Sequence, residues 1–512
     1  MEPLSKIQQL FATFTLSLAS LMIVLDYSIA NVSLAYIASD LAISTDEGIY
    51  VITSFAVGNS IALPITNWLS KRLGNVKLMT ISLLLFVLFS AGCGLAHKVL
   101  ELIIFRFLQG FVSGPLTPLS QALILGIHHP HKKQMALALW GTVVIVGPII
   151  GPIVGGWITY NYSWPWIFYI NIPIGLFSAC VVWTILHKRE SKIEKLILDW
   201  VGLVLLAIGV ICLQILIDKG EEWDWFDSHL VRGLAISASL SFILLGIWSF
   251  FHKSPLIDLT LFKIRSYTTS IITLFLAFSS YFGSVVLIPL WLQQNMGYTA
   301  EWAGFALAPV GLAPVLFSRW IPKLLEKFAT LVLFSISFSF FAFSCFFTSS
   351  FNTDISVNTV YLTRLLFGFG VLFFTVPLFS LSLQDIPPEK LNSSTGLFNF
   401  VRAMVSGIGT SIFATLWMRR SAYHHSILVE SITPFSQETH QFLTNLSKIG
   451  LDGIQKLEFL NETINTQAAV LGLNDCFFLM GWIFLSLILL VFLGRSRKPL
   501  PEPSVMTRAG HE

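Results

Sequence analysis

Apolar residues in this chain gather into long runs separated by short polar breaks. The runs lie near 12–36, 49–70, 78–97, 102–125, 135–159, 166–187, 200–217, 231–251, 268–292, 301–322, 329–348, 358–383, 396–417 and 473–494. A helix needs about 20 apolar residues to cross about 30 Å of hydrocarbon, so the pattern predicts fourteen membrane-spanning helices. The first run has no small-residue cleavage site and contains Asp26, which favours a span over a cleaved signal peptide.

Composition agrees with the pattern. Hydrophobic residues make up 54% of the 512 residues and charged residues only 12%, too little polar surface for a water-soluble globule of this length. The net charge of +3 gains meaning from where the basic residues fall. Lys71, Arg72 and Lys77, Lys132 and Lys133, Lys188 and Arg189, Lys263 and Arg265, and Arg495 to Lys498 all lie in loops on the side of the termini. Few lie on the other side, mainly Arg419, Arg420, Lys448 and Lys456, so both termini are expected in the cytoplasm. Cys93, Cys180, Cys212, Cys345 and Cys476 sit in apolar runs without paired spacing, and neither a disulfide framework nor a metal site is expected. His128, His129 and His131 beside Lys132, and the pair His424-His425, read as solvated loop residues.

The chain repeats weakly at an offset of 258 residues. Arg106-x-x-x-Gly110 recurs as Arg364-x-x-x-Gly368, Pro130-x-Lys132 as Pro388-x-Lys390, and Gly151 as Gly409. Transporters built from two related halves carry such internal symmetry. The expected organisation is a six-helix bundle over 1–190, two inserted helices over 191–260, and a second six-helix bundle over 261–512. An acidic, aromatic outer loop from Asp218 to Asp227 joins the inserted pair. The polar stretch 418–472 is long, with amphipathic spacing in Leu443, Leu446, Ile449, Leu451, Ile454 and Leu457 that predicts a folded cap or a docking surface.

An ionisable group inside a span requires a partner, a wet cavity or a function. Asp26 lies mid-span, where burial makes a carboxylate a proton carrier. Arg106, in the fourth run, is its complement, with Gln109 one turn on along the same face. The pair reads either as a static ion pair or as a contact that breaks when Asp26 takes a proton. In the fifth run, Gly147, Gly151 and Gly155 recur every four residues and give a stripe for close helix contact. Pro148 and Pro152 remove backbone hydrogen bonds and permit bending, and Gly156 doubles the last glycine. Polar candidates for a cargo cavity are Asn31, Gln121, Gln214, Tyr281, Gln293 and Asn399, whereas the phenylalanines Phe334, Phe338, Phe340, Phe341 and Phe343 read first as residues facing lipid or neighbouring helices, with an adaptable apolar lining as the alternative. An ATP-driven pump is disfavoured because the chain has no Gly-Lys dipeptide and so no Walker A loop. A channel or a membrane enzyme would need repeated pore rings or clustered acids and histidines, and neither appears.

These motifs resemble those of a known family. The run Gly147 to Gly156 resembles the antiporter motif of the major facilitator superfamily, and Leu102-x-x-x-Arg106-x-x-Gln109-Gly110 resembles its fourth-helix arginine motif. Asn67-Trp68-Leu69-Ser70-Lys71-Arg72-Leu73-Gly74 resembles its gating-loop motif. Leu25-Asp26 through Val32 is similar to the first-span motif of the fourteen-span drug:proton antiporters. The resemblance implies the major facilitator fold and proton-coupled export of hydrophobic or amphipathic toxic compounds, with no cofactor beyond the proton gradient. It implies proton-coupling roles for Asp26 and Arg106, and a bacterial inner-membrane pump that hands cargo to a periplasmic membrane-fusion adaptor and an outer-membrane channel. A narrower cargo, such as a fatty acid, a bile-salt-like amphiphile or a siderophore, stays open. Two departures stand out. The gating loop has Asn67 and Lys71 where the family commonly has glycine and an acid, so a carboxylate-centred network is not expected there and Arg72 is expected at a helix carboxyl end. The position repeating Asp26 is Ser284, so proton traffic is expected in the first half.

Overall fold

Strong start signals fix the first two spans. Ser5 and Gln8 form a reciprocal capping box at the head of α1 (Lys6–Asp40), and Ser44 and Glu47 form another at the head of α2 (Thr45–Leu73). Gly74, at φ +91°, turns the chain directly into α3 (Asn75–Gly94). The structure is a computed structural model that describes residues 4–493 except 129–135, 137, 138, 142, 145, 192, 195, 196, 253, 254, 318, 319, 322, 323, 325, 326, 388, 389 and 434. The repeat positions Pro130, Lys132, Pro388 and the basic residues Lys133 and Arg495 to Lys498 lie outside the described residues, as do His129 and His131.

The fourth span is α4 (Val99–Ser113) and α5 (Leu116–Ile127), broken at Gly114-Pro115. The fifth is described as α6 (Gly147–Asn161), and the sixth as α7 (Trp166–Tyr169) with α8 (Asn171–Leu186). The inserted pair is α9 (Trp200–Lys219) and α10 (His229–Phe251). Then follow α11 (Arg265–Asn295), α12 (Ala300–Leu307) with α13 (Pro309–Phe317), α14 (Thr330–Thr348) and α15 (Val357–Leu383). The last are α16 (Leu391–Ser431), α17 (Gln437–Lys448) and α18 (Ile454–Leu493). Among the described residues thirteen helical segments are long and apolar enough to cross a membrane, α6 supplies the described part of the fourteenth, and no strand is present.

Two of the segments expected as outer loops differ from the sequence reading. Asp218 is the penultimate residue of α9 rather than part of the loop. Within 418–472, α16 continues to Ser431 and α18 starts at Ile454, so this stretch is largely two spanning helices prolonged beyond the apolar runs, with α17 between them. Of the six amphipathic positions only Leu446 is buried, while Ile449 and Ile454 are exposed.

In the first half α1 packs on α6, α8 and α2, and α2 packs on α4; in the second α14 packs on α15 and α18, and α11 on α16. The halves meet chiefly through α2 against α16 and α6 against α12. These are spans 2 with 13 and 5 with 10, the same contact exchanged between halves. The inserted helix α9 packs on both α2 and α16 and so touches each half. Of the phenylalanine group, Phe334, Phe338 and Phe341 stack into the core with Phe374 and Phe484, whereas Phe343 is exposed on the bundle surface. The buried members of that group thus pack between neighbouring helices, the first of their two readings, and Phe343 lies on the outside.

Candidate functional site: a buried carboxylate and its arginine

A buried ionisable pair lies in the middle of the first half. Arg106 Nη1 donates to Asp26 Oδ2 at 2.6 Å, and both side chains are buried. Two amides complete the shell of the carboxylate: Gln109 Nε2 donates to Oδ1 at 3.1 Å and Asn171 Nδ2 to the same oxygen at 2.7 Å. Gln109 is itself fixed, donating to Ser90 Oγ at 2.7 Å and accepting from Arg106 at 2.8 Å. Arg106 Nε donates to the Val51 carbonyl at 3.1 Å, and its guanidinium lies 4.4 Å from the Phe55 ring centre and 5.4 Å from that of Phe168. Spans 1, 2, 3, 4 and 6 thus converge on one carboxylate. In so buried a site, hydrogen bonds between a guanidinium and a carboxyl group are stronger than at the surface.

Gln109 is the predicted residue brought into this shell; Asn171 and Ser90 are additions. A lone asparagine in the apolar sixth run was the signal for Asn171. Asn31 is buried on the same helix as Asp26, with neither amide atom hydrogen-bonded. The other cavity candidates disperse. Gln293 Nε2 donates to the Val32 carbonyl at 2.9 Å, tying α11 to α1. Tyr281 stacks on Phe367, with ring centres 5.9 Å apart. Asn399 bonds within its own helix to the Thr395 carbonyl, and Gln121 is half-buried on α5 without a described hydrogen bond. Gln214 lies in a separate cluster with Asp218.

The glycine helix α6 serves two neighbours. A methyl group added at Gly147, Gly151 or Gly155 would lie within 3 Å of Val24, Ser28 or Ile29, so the stripe is seated on α1 beside Asp26. Gly156 faces the other way: a methyl there would lie 2.2 Å from the Ala300 carbonyl oxygen of α12, and one at Gly304 would lie 2.1 Å from the Pro152 carbonyl oxygen. The doubled glycine therefore lets one helix approach both its own half and the opposite one.

At the gating loop the structure corrects the sequence reading. Acids are present, supplied from beyond span 6. Glu190 accepts from the Val76 and Lys77 amides at 2.9 and 2.8 Å, capping α3, and Glu194 lies 3.4 Å from Lys71 Nζ. Gly74 packs against Glu190, where a side chain would collide. Arg72 is exposed in the last turn of α2, the carboxyl end of the helix.

The chain matches the family model described as Major Facilitator Superfamily over residues 16–410. It is 43% identical over 484 residues to the multidrug export protein EmrB of Haemophilus influenzae, covering 94% of this chain and 95% of that one. It is 41% identical over 493 residues to the fatty acid resistance protein FarB of Neisseria gonorrhoeae, covering 96% and 97%, and 40% identical over 496 residues to EmrB of Escherichia coli K12, with the same coverages. The peptide transporter POT, crystallised in complex with sulfate, shares the fold with a TM-score of 0.63 at 13% identity, covering 94% of this chain and 95% of that one. With matching motifs, a fourteen-span bundle and relatives aligned from end to end, the chain belongs to the Major Facilitator Superfamily, as an EmrB-like multi-pass membrane protein.

Proposed function

We propose that this protein is a proton-driven multidrug exporter that moves hydrophobic and amphipathic toxic compounds out of the bacterial cytoplasm. The relatives named for multidrug export support the cargo class, and the Asp26 site supports the coupling. The observation that carries the mechanism is a buried carboxylate held by one cation and two amides, directly beside the glycine helix that also contacts the opposite half. With Asp26 ionised, spans 1, 4 and 6 are locked together; with Asp26 protonated, that lock loses its charge-assisted bonds and α1 is free to shift along α6. Proton entry and cargo exit then use opposite orientations of the same carrier.

The pump sits in the inner membrane with both termini in the cytoplasm, as its basic loops favour. The 418–472 segment then projects into the periplasm, where its two prolonged helices offer a surface for a membrane-fusion adaptor of the EmrA type, feeding a TolC-like outer-membrane channel. A second reading narrows the cargo to fatty acids, favoured by the similarity to FarB. The test is dye efflux in inverted vesicles under an imposed pH gradient. Gradient-driven efflux in the wild type, lost in Asp26→Asn at equal expression, is the expected result; undiminished efflux by Asp26→Asn overturns the role of Asp26. Competition of dye export by long-chain fatty acids, but not by unrelated amphiphiles, selects the narrower cargo.

A further inference from the structure

A second carboxylate bridges the two halves where the inserted pair touches both. Asp218 Oδ2 accepts from Thr53 Oγ1 of α2 at 2.8 Å, while Oδ1 accepts from Gln214 Nε2 at 2.7 Å and from the Ser411 hydroxyl of α16. Gln214 Nε2 also reaches Ser411 Oγ at 2.9 Å, and Tyr50 donates its hydroxyl proton to the Asp218 backbone carbonyl at 3.1 Å. Thr53, Gln214 and Ser411 are buried, and Asp218 itself is half-buried at the end of α9. The charged groups around it are accounted for. On α9, Lys219 pairs with Glu222 and, at 3.8 Å, with Glu47 of α2, and it lies 4.8 Å from the Tyr50 ring centre. From α16, Arg419 pairs with Glu221. The groups that α2 and α16 place directly on the Asp218 carboxylate are hydroxyls, so within this hydrogen-bonded cluster Asp218 is the charged member.

The place of this cluster gives it a role. Spans 2 and 13 form one of the two principal contacts between halves, and Asp218 holds both at the end of the bundle that carries 418–472. A cleft of 260 Å³ lies about one helical turn away along the same two helices, lined by Ile49, four residues before Thr53, by Ala414, three residues after Ser411, and by Asn295 and Ser421. Opening that end requires α2 and α16 to part, and a carboxylate accepting from both opposes it. We propose that Asp218 is a second proton-responsive residue of the transport cycle, an ionised latch that holds spans 2 and 13 closed and releases them when it takes up a proton from the outer water. The proton adds to a carboxylate oxygen, no other bond is made or broken, and it returns to the outer water as the latch closes. Three charge-assisted bonds weaken together when the charge goes, which is why one proton suffices to move the gate. The inserted helices, absent from a bare pair of six-helix halves, thereby gain a function in gating. This inference rests on the proton-coupled, alternating-access reading above.

The test uses full-length protein in right-side-out vesicles with Ala414→Cys as a reporter in the cleft, labelled by a membrane-impermeant maleimide over a range of outer pH and compared with protein lacking the reporter. Because only the thiolate reacts and its share falls with pH, each rate is divided by that of a permanently exposed cysteine at the same pH; this corrected labelling of the reporter is expected to quicken as the outer pH falls. Asp218→Asn is expected to label roughly tenfold faster at neutral pH, equivalent to about 1.4 kcal/mol in the open–closed balance, and to respond little to pH. Ser411→Ala, which leaves the carboxylate in place, should shift labelling in the same direction and serves if Asp218→Asn does not fold. A wild-type rate and pH response in both variants overturns the latch. The same assay in Asp26→Asn separates the two proposals: a retained pH response supports the latch, and a flat response with Asp218 intact overturns it. Dye efflux that ignores the pH gradient while labelling still follows Asp218 defeats the antiporter reading alone.

Discussion

Arg364 Nη1 donates to Ser284 Oγ at 2.7 Å, in the same helix pair and at the same spacing as Arg106 with Asp26 in the first half. The second half has the arginine but a serine where the first half has its acid. Arg364 is buried, donates also to Thr348 Oγ1 at 3.0 Å, and rests on Phe367 and Phe477 with no carboxylate among its described partners. Gly110 and Gly368, four residues beyond each arginine, both press on a neighbouring backbone, where an added methyl would lie 2.1 Å from the Phe55 oxygen and 2.4 Å from that of Val310. The two halves are thus built alike, and only one carries the ionisable pair.

Restoring the acid should therefore stabilise the second half. Ser284→Asp places a carboxylate beside a guanidinium already buried, and a hydrogen bond to a charged group is worth about 1.5–3 kcal/mol. A raised thermal midpoint in detergent is expected, and a lowered one would show that Arg364 is already balanced.

The first-half pair should tolerate no change of shape. Lysine cannot reproduce the Nε bond to the Val51 carbonyl together with the contact to Asp26, so Arg106→Lys is expected to lose gradient-driven efflux as fully as Arg106→Ala. Asn171→Leu removes one amide from the carboxylate and is expected to cut efflux roughly tenfold or more, a loss of about 1.5–3 kcal/mol. Vesicle efflux at matched expression measures both; near-normal transport by Asn171→Leu would remove that residue from the shell.

Glycine positions on the bundle should differ sharply. Gly156→Ala sets a methyl 2.2 Å from the Ala300 oxygen and has to spread the two halves, so resistance to toxic compounds is expected to fall with protein levels maintained. Gly126→Ala meets nothing within 4 Å and is expected to behave as wild type in the same plate assay.

Between α10 and α11, Asp258 makes a testable contribution to stability. Partial burial works against its charge, but bonds from Thr260 and Lys390, the latter at 2.9 Å, outweigh this and hold its carboxyl below the ordinary carboxylate range. A depressed folded value stabilises the protein above the unfolded value, about 3.9, and the benefit fades as pH falls through the folded value. Asp258→Asn should lower the melting temperature at neutral pH, and the difference from wild type should shrink in strong acid. A difference independent of pH would point to packing rather than charge.

The spans, the first-half ion pair and the glycine stripe are all legible in the residues alone. Each follows from local chemistry: a run of apolar residues has to be helical in lipid, a buried charge has to find its opposite, and three glycines one turn apart share a face. Ser284 as the neutral repeat of Asp26 was legible for the same reason, since offset alone pairs the positions. Tertiary structure decided everything that depends on which distant groups meet. Asn171 reaches Asp26 from 145 residues away, Glu190 caps α3 from 114 residues away, and Asp218 joins Thr53 to Ser411 across both halves. The gating loop looked short of an acid because its acids come from the chain after span 6. That Gly155 seats on α1 while Gly156 seats on α12 is likewise invisible in the doubled glycine, because consecutive residues of a helix point about 100° apart and only the packed neighbours show what each one meets.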